Sequence, residues 1–159
     1  MRKALENNID PRSITKNPMT TADVKVVEVV AGLIFDQDRL LVCQRSLQSS
    51  FPLKWEFPGG KVEKGEAHEV ALRRELKEEL GIQAHCLKEV FRHAHLYPGI
   101  SKVDLTFFQV MDYSGDVSNR VFRQIKWTSI RQLEHLDFLE ADLPLVQKLA
   151  SAPSTVIIR

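Results

Sequence analysis

Residues 60–82 read GKVEKGEAHEVALRRELKEELGI, and this stretch decides the fold. Its leucines at positions 72, 76 and 80 recur every four residues, which predicts an amphipathic helix whose apolar side packs on a sheet. A glycine at position 65 precedes the helical pattern, as in a turn-rich loop, and Gly81 follows it, where a helix C-cap favours glycine. The stretch therefore predicts a loop that leads into one capped, amphipathic helix.

Three glutamates form an acidic group on this predicted helix. Glu75, Glu78 and Glu79 are spaced i, i+3 and i+4, so their side chains lie on the same face. Carboxylates this close repel one another, and near a helix C-terminus the macrodipole also disfavours negative charge. A hard divalent cation offsets both penalties because it prefers oxygen ligands. The spacing therefore predicts a metal site on the helix.

The complete spacing is similar to a known signature. In order it contains Gly, five residues, Glu, seven residues, Arg-Glu, an aliphatic residue, any residue, Glu-Glu, any residue, Gly and an aliphatic residue. This order matches the signature of the Nudix hydrolases without a gap. The resemblance extends over residues 24–149. It implies an α/β protein with the Nudix fold, in which a mixed β-sheet is sandwiched between α-helices.

The resemblance also implies a chemistry, the hydrolysis of a nucleoside diphosphate linked to another group. The family cofactor is Mg²⁺, for which Mn²⁺ can substitute, and it offsets charge on the phosphates. The metal ligands in the family pattern correspond here to the backbone carbonyl of Gly59 and to Glu75, Glu78 and Glu79. Arg74 and Glu66 are expected to pair and to fix the loop against the helix. Glu75 or a neighbouring carboxylate orients or deprotonates the attacking water, and the identity of the general base stays open.

Residues before the motif resemble one branch of the family. The run LKWEFPGG at residues 53–60 is similar to the MutT branch, which hydrolyses nucleoside triphosphates to the monophosphate and pyrophosphate. Arg45 matches an arginine that reaches the substrate phosphates, although an ordinary surface arginine gives the same pattern. Phe57 either lines the base pocket or belongs to the core. These matches predict a nucleoside triphosphate as the substrate.

Asp142 matches the residue that contacts the base edge in this branch, where the bacterial 8-oxo-dGTP sanitiser has asparagine. As an anion, an aspartate only accepts hydrogen bonds, which suits the exocyclic amine of cytosine. It can also accept from the N–H groups of an oxidised guanine, or act in its protonated form. Alternatively, Asp142 caps the final helix, just before Leu143-Pro144. The resemblance to the MutT branch makes oxidised nucleotides such as 8-oxo-dGTP the first expectation, and the aspartate keeps CTP, dCTP or a broad range of nucleotides as the alternative.

One position departs from the branch pattern. Many MutT-like chains carry a glutamate five or six residues before the tryptophan that matches Trp127, and here those positions hold Phe122 and Val121. The chemistry then depends on the helix carboxylates or on a water. A non-catalytic Nudix-like sensor, which binds nucleotide without turnover, is the alternative of another class, and the intact glutamates disfavour it.

The whole chain limits the class of function. Its 159 residues suit one domain, which we expect at residues 23–159 after a flexible arm at residues 1–22. The chain has 22 basic and 21 acidic residues. It has no block of basic residues that would favour nucleic-acid binding. We expect neither a secretory leader nor a membrane span, and the two cysteines lack metal-site spacing. A cytoplasmic protein is expected, either a monomer or a homodimer.

Local patterns predict the order of the elements. Strands are predicted within residues 24–35, 39–44, 55–57, 83–93, 102–111 and 124–127. The motif helix and a C-terminal helix at residues 140–150 are the two long helical patterns. A polar loop is predicted at residues 112–119. Strands interleaved with helices in this way indicate an α/β layer architecture.

Overall fold

The computed structural model describes residues 25–99 and 101–158. Within them the chain forms one mixed sheet and two α-helices. The strands are β1 (Val26–Asp36), β2 (Arg39–Gln44), β3 (Trp55–Glu56), β4 (Gly59–Lys61), β5 (Gln83–Tyr97), β6 (Ser101–Ser114) and β7 (Gln124–Ser129). The helices are α1 (His68–Leu80) and α2 (Leu143–Ser151), with turns of 3-10 helix at Ile130–His135, Glu140–Asp142 and Pro153–Thr155. The flexible arm predicted at residues 1–22 lies outside the described residues.

Strand β1 is the centre of the sheet. It runs parallel to β6 over nine residue pairs, from Val26 opposite Lys102 to Ile34 opposite Val110. β2 and β4 pair with it in the antiparallel direction, and β5 pairs antiparallel with β6. β2 also pairs with β3 and β7. Parallel and antiparallel pairs share one sheet, which confirms the predicted mixed topology.

Hydrophobic cores lie on both faces of the sheet. On one face, α1 buries Leu72, Leu76 and Leu80 in a cluster with even-numbered residues of β1. On the other face, α2 buries Leu145 and Leu149 in a cluster with odd-numbered residues of β1. Successive strand residues point to opposite faces, so one strand serves both cores. Each fully buried leucine contributes roughly 1.5–3 kcal/mol, and the sheet lies between two helices as predicted.

The end of α1 is fixed by a second loop. Gly81 has a φ of 76°, in the left-handed region that favours glycine, and it forms the predicted C-cap. A Cβ at this position would come within 2.6 Å of the Arg120 guanidinium. The backbone N–H of Arg120 donates to the carbonyl of Glu79, and the N–H of Ser118 donates to that of Leu80. Two of the free carbonyls in the last turn of α1, which carries the glutamates, therefore have hydrogen-bond partners.

The prediction of a polar loop at residues 112–119 is wrong for residues 112–114. Strand β6 continues through Ser114 because Asp112 pairs with Cys86 and Ser114 pairs with Gln83. Strand β5 is also longer than predicted and runs to Tyr97, which pairs with Ser101. Pairing between two long strands outweighs the local preference of polar residues for turns.

The C-terminal helix begins later than predicted. Glu140–Asp142 forms a 3-10 turn, and α2 starts at Leu143. Pro144 lies in the first turn of α2, where its missing N–H leaves no hydrogen bond unmade. No helix in the described part of the chain is long and apolar enough to cross a bilayer.

Candidate active site

A cavity of about 630 Å³ is lined in part by Gly59 and Gly60 of β4, the strand that precedes α1. Its charged lining residues are Arg45, Glu56, Lys61, Glu79 and Asp142. Its aromatic lining residues are Phe51, Phe57 and Tyr97, and valines and leucines of β1 and β6 complete the wall. The cavity therefore brings together five of the residues predicted from the sequence, which are Arg45, Phe57, Gly59, Glu79 and Asp142. Its volume is that of a small-molecule site.

Glu79 is the motif glutamate that lines the cavity. Its Oε2 accepts a hydrogen bond of 3.0 Å from the backbone N–H of Gly59, so this carboxylate joins α1 to the start of β4. Burial first, and then the nearby carboxylates of Glu56 and Glu75, raise the pKa of Glu79 to about 9, although the Gly59 N–H opposes them. At pH 7 the metal-free protein therefore carries a proton on Glu79.

Arg74 joins the helix to the preceding loop. Its Nε and Nη2 donate to the two carboxylate oxygens of Glu66, each at 2.9 Å, and Nη2 also donates to the carbonyl of Lys61. Its Nη1 donates to Oε1 of Glu75 at 2.7 Å. The contact with Arg74, followed by the backbone N–H of Glu63, lowers the pKa of Glu66 to about 2. One guanidinium thus fixes the positions of Glu66 and Glu75 relative to each other.

Glu78 extends from the same helix face into solvent. Its side chain is 59% exposed and lies 3.7 Å from Nη1 of Arg74. Within residues 25–99 and 101–158, no group of three His, Cys, Asp or Glu side chains lies close enough together to hold a metal ion. The donor chemistry nevertheless fits Mg²⁺, because carboxylates are hard oxygen donors and a cation would offset both the burial and the carboxylate repulsion that raise the pKa of Glu79. Ligation of the ion by Glu75, Glu78, Glu79 and the carbonyl of Gly59 stays a prediction.

Mg²⁺ binding at this group is expected to release about one proton at pH 7. Glu79 is protonated below its pKa of about 9, whereas its carboxylate form binds the cation. The apparent Mg²⁺ affinity should therefore rise with pH from 7 to 9, by about tenfold per unit. Calorimetric titration in two buffers of different ionisation enthalpy measures the released protons. Mg²⁺ binding without proton release would contradict a protonated Glu79.

Arg45 is anchored within the protein. Its Nη1 donates to Oε2 of Glu56 at 2.7 Å, its Nε donates to the carbonyl of Ser50 at 2.7 Å, and its Nη2 donates to the Ser50 hydroxyl at 3.1 Å. The side chain is 20% exposed and is held by Glu56 and Ser50 rather than extended into solvent. These contacts use three of its five N–H donors, and contact with phosphate through the others stays a prediction.

Phe57 belongs to the core and to the cavity wall. It is only 3% exposed, and its ring lies 5.2 Å from that of Phe138 and 6.1 Å from that of Phe107, edge-on to the latter. It also lines the cavity. The core interpretation therefore holds, and contact between Phe57 and a base stays a prediction.

Asp142 is a buried acid beside the cavity. It is 4% exposed, and its Oδ2 accepts a hydrogen bond of 3.4 Å from the backbone N–H of Phe57. It occupies the N-cap position of α2, yet its side chain makes no capping hydrogen bond. The capping interpretation is wrong because the carboxyl turns towards Phe57 instead. Burial, followed by the charge of Glu56, raises the pKa of Asp142 well above its ordinary value of 3.8, which favours the protonated form.

Glu56 is a site residue that the sequence did not single out. Its side chain is 17% exposed and pairs with Arg45, and it lines the cavity. Its charge raises the pKa of both Glu79 and Asp142, so it lies within electrostatic range of both acids. One signal could have revealed it, since an acid between two buried aromatic residues in a short strand requires a partner.

A mixed sheet between two helices, with Glu79 of one helix lining a cavity of small-molecule size, is compatible with an α/β enzyme that acts on phosphates. The NUDIX domain pattern matches residues 25–149. The chain therefore belongs to the Nudix family, as its signature indicated. Nudix hydrolases act on nucleotide substrates and generally depend on a divalent metal ion.

Individual relatives lie in the MutT-like branch. The chain is 36% identical over 124 residues to the CTP pyrophosphohydrolase of Escherichia coli, covering 78% of this chain and 91% of that protein. It is 33% identical over 128 residues to the 8-oxo-dGTP diphosphatase of Haemophilus influenzae, covering 80% and 93%. A solved structure of MutT, from work on Aliivibrio salmonicida and Vibrio cholerae, superposes with a TM-score of 0.67 at 33% identity and covers 80% of this chain and 98% of that one. The predicted fold, the MutT-like branch and the class, hydrolases acting on phosphoric anhydrides, are confirmed.

Proposed function

We propose that this protein hydrolyses a nucleoside triphosphate to the monophosphate and pyrophosphate, with Mg²⁺ as its metal ion. The observation that carries the proposal is that Glu79 of α1 and the buried Asp142 line the same cavity. The first suits a metal at the phosphates, and the second suits the edge of a base. The similarity to a CTP pyrophosphohydrolase and an 8-oxo-dGTP diphosphatase supports the same reaction.

The chain would divide the reaction among a few groups. Metal ligation would fall to Glu75, Glu78, Glu79 and the carbonyl of Gly59. When bound, Mg²⁺ neutralises charge on the phosphate oxygens. Arg74, held by Glu66, keeps the Glu75 carboxylate in place, and Glu75 or a neighbouring carboxylate orients or deprotonates the attacking water. Arg45 would use its remaining N–H groups for the substrate phosphates.

Asp142 favours an oxidised purine as the preferred base. Burial raises its pKa, which favours the protonated carboxyl, and in that form the group offers one hydrogen-bond donor and one acceptor. The edge of an oxidised guanine presents an N–H donor beside a carbonyl acceptor, which matches that pair, whereas the exocyclic amine of cytosine bonds most strongly to an anionic acceptor. We therefore propose 8-oxo-dGTP as the first substrate and CTP or dCTP as the second.

The test is a panel of oxidised and unmodified nucleoside triphosphates, assayed for kcat/KM with Mg²⁺ present. We expect pyrophosphate as a product and the highest kcat/KM for 8-oxo-dGTP. A higher value for CTP would reverse the order of the two substrates. No pyrophosphate from any nucleotide would refute the enzymatic proposal and favour the non-catalytic sensor.

Asp142→Asn is expected to change the base preference. An amide carries a donor and a neutral acceptor, so it keeps the contact with an oxidised purine, whereas the exocyclic amine of cytosine loses the stronger, anionic acceptor. The ratio of kcat/KM for 8-oxo-dGTP over CTP should rise by about tenfold, the usual effect of one buried hydrogen bond. Asp137→Asn is the matched control, because Asp137 is 75% exposed and pairs with Lys54. An unchanged ratio in Asp142→Asn would remove Asp142 from base recognition.

A further inference from the structure

An aromatic pair stands at the edge of the cavity. The ring centroids of Phe51 and Tyr97 are 4.9 Å apart, with their planes tilted by 31°. Both residues line the cavity. Tyr97 is 9% exposed, whereas Phe51 is 39% exposed. Phe51 therefore lines the cavity and keeps part of its surface accessible.

The backbone holds Phe51 in a conformation that is disfavoured for residues with a side chain. Its φ is 53°, and the φ of Leu53 is 64°, both in the left-handed region where a Cβ meets the following carbonyl. Such conformations persist only where the surrounding contacts fix them, and they concentrate at sites that bind ligands. The strain at Phe51 therefore points to a role beyond the connection of two strands.

Arg45 supplies the contacts that fix this loop. Its guanidinium donates to the carbonyl and the hydroxyl of Ser50, the residue immediately before Phe51. Its backbone N–H donates to the carbonyl of Lys54 at 2.9 Å, which closes the loop on the other side. The same guanidinium binds Glu56 in the cavity wall. The loop position of Phe51 is thus tied directly to the site.

The aromatic pair lies next to the residue proposed to contact the base edge. The hydroxyl of Tyr97 accepts a hydrogen bond of 3.4 Å from the backbone N–H of Ala141, which precedes Asp142 in the chain. The ring of Tyr97 therefore connects Phe51 to the turn that carries Asp142. A planar base with its edge at Asp142 has aromatic surface within reach.

We propose that Phe51 is a specificity-determining residue whose ring packs against the face of the nucleobase while Asp142 contacts its edge. This role rests on the proposed function, since it requires a nucleotide in this cavity. A spacing of 4.9 Å between the Phe51 and Tyr97 rings leaves no room for a base between them, so the base packs on the open side of the pair. Every base has a π-face, and the larger face of a purine gains more from stacking.

Phe51→Ala separates base binding from chemistry. Loss of the ring should raise KM for a purine nucleoside triphosphate about tenfold. Because Phe51 contributes no group to the proposed metal site on α1, kcat should stay within about twofold of wild type. Phe51→Trp should restore KM, whereas Phe51→Leu, which keeps apolar bulk without a π-face, should not. Leu47→Ala is the matched control, because Leu47 lies in the same loop, is 60% exposed and is absent from the cavity lining.

Equilibrium binding distinguishes failure of this role from failure of the proposed function. GMP, CMP and inorganic pyrophosphate are titrated calorimetrically into wild type and Phe51→Ala. GMP binding should weaken about tenfold, CMP binding less, and pyrophosphate binding not at all. Equal GMP binding by both proteins, or weakened pyrophosphate binding in the variant, overturns the role of Phe51. A wild type that binds GMP in a Phe51-dependent way yet releases no pyrophosphate contradicts the proposed function alone.

Discussion

Glu78→Gln is expected to lower kcat by about a hundredfold or more without disturbing the fold. The Glu78 side chain is 59% exposed, so an amide in its place removes no packing. What it removes is the charge of a proposed metal ligand. Steady-state kinetics at saturating Mg²⁺ measures the loss, and a rate near that of wild type would refute the ligand assignment.

Glu79→Gln should lose activity to at least the same extent but behave differently in stability. Because the folded protein binds the Glu79 proton more tightly than the unfolded chain, stability falls as pH rises from the ordinary value of 4.5 towards the folded-state pKa of about 9. This loss amounts to on the order of 3 kcal/mol at pH 7. The amide avoids the loss, so metal-free Glu79→Gln should unfold at a higher temperature than metal-free wild type at pH 8.

Thermal unfolding with a chelator present, followed by circular dichroism, checks this difference. Glu78→Gln should unfold close to wild type, since exposed charges contribute little to stability. Glu69→Gln is the control on the same helix, because Glu69 lies in the first turn with its side chain 52% exposed. It should change neither kcat nor the unfolding temperature. A lower unfolding temperature for Glu79→Gln would contradict the buried, protonated state of Glu79.

Helix α1 could be predicted because the residues that determine it are close together in the sequence. The leucine spacing, the glycine C-cap and the glutamate spacing all lie within residues 60–82, and each acts over one or two helical turns. The structure adds what the spacing could not define, namely that the three glutamates have different environments. Glu79 is partly buried and accepts from Gly59, Glu75 is held by Arg74, and Glu78 is exposed.

The opposite wall of the cavity could not be predicted, because distant residues build it. Arg45 meets Glu56 only because β2 and β3 pair with Cys43 opposite Glu56, and strand register is not encoded in either strand alone. Phe51 reaches the cavity through a left-handed backbone, although its position holds neither glycine nor asparagine, the residues that usually adopt that conformation. Asp142 was predicted from its position in the family pattern, whereas its burial follows from the packing of α2.

Gly60→Ala is expected to lower kcat by about a hundredfold while leaving stability almost unchanged. A Cβ built on Gly60 lies 2.4 Å from Cδ of Glu75, closer than two unbonded atoms can approach. The clash is with the end of a flexible side chain, so the Glu75 carboxylate moves and the backbone stays. That carboxylate is held by Arg74 in its present position. Displacing a reacting group by about 1 Å costs about a hundredfold in rate.

Gly65→Ala is the matched control and should show the opposite pattern. Gly65 has a φ of 80°, and no heavy atom of the described chain lies within 4 Å of a Cβ built there. Backbone strain should cost about 1 kcal/mol and lower the unfolding temperature by about 2–4 °C, with kcat unchanged. Thermal unfolding and steady-state kinetics on both variants test whether the two effects separate. If Gly60→Ala keeps its kcat, the position of Glu75 does not limit turnover, and orientation of the attacking water passes to Glu78 or Glu79.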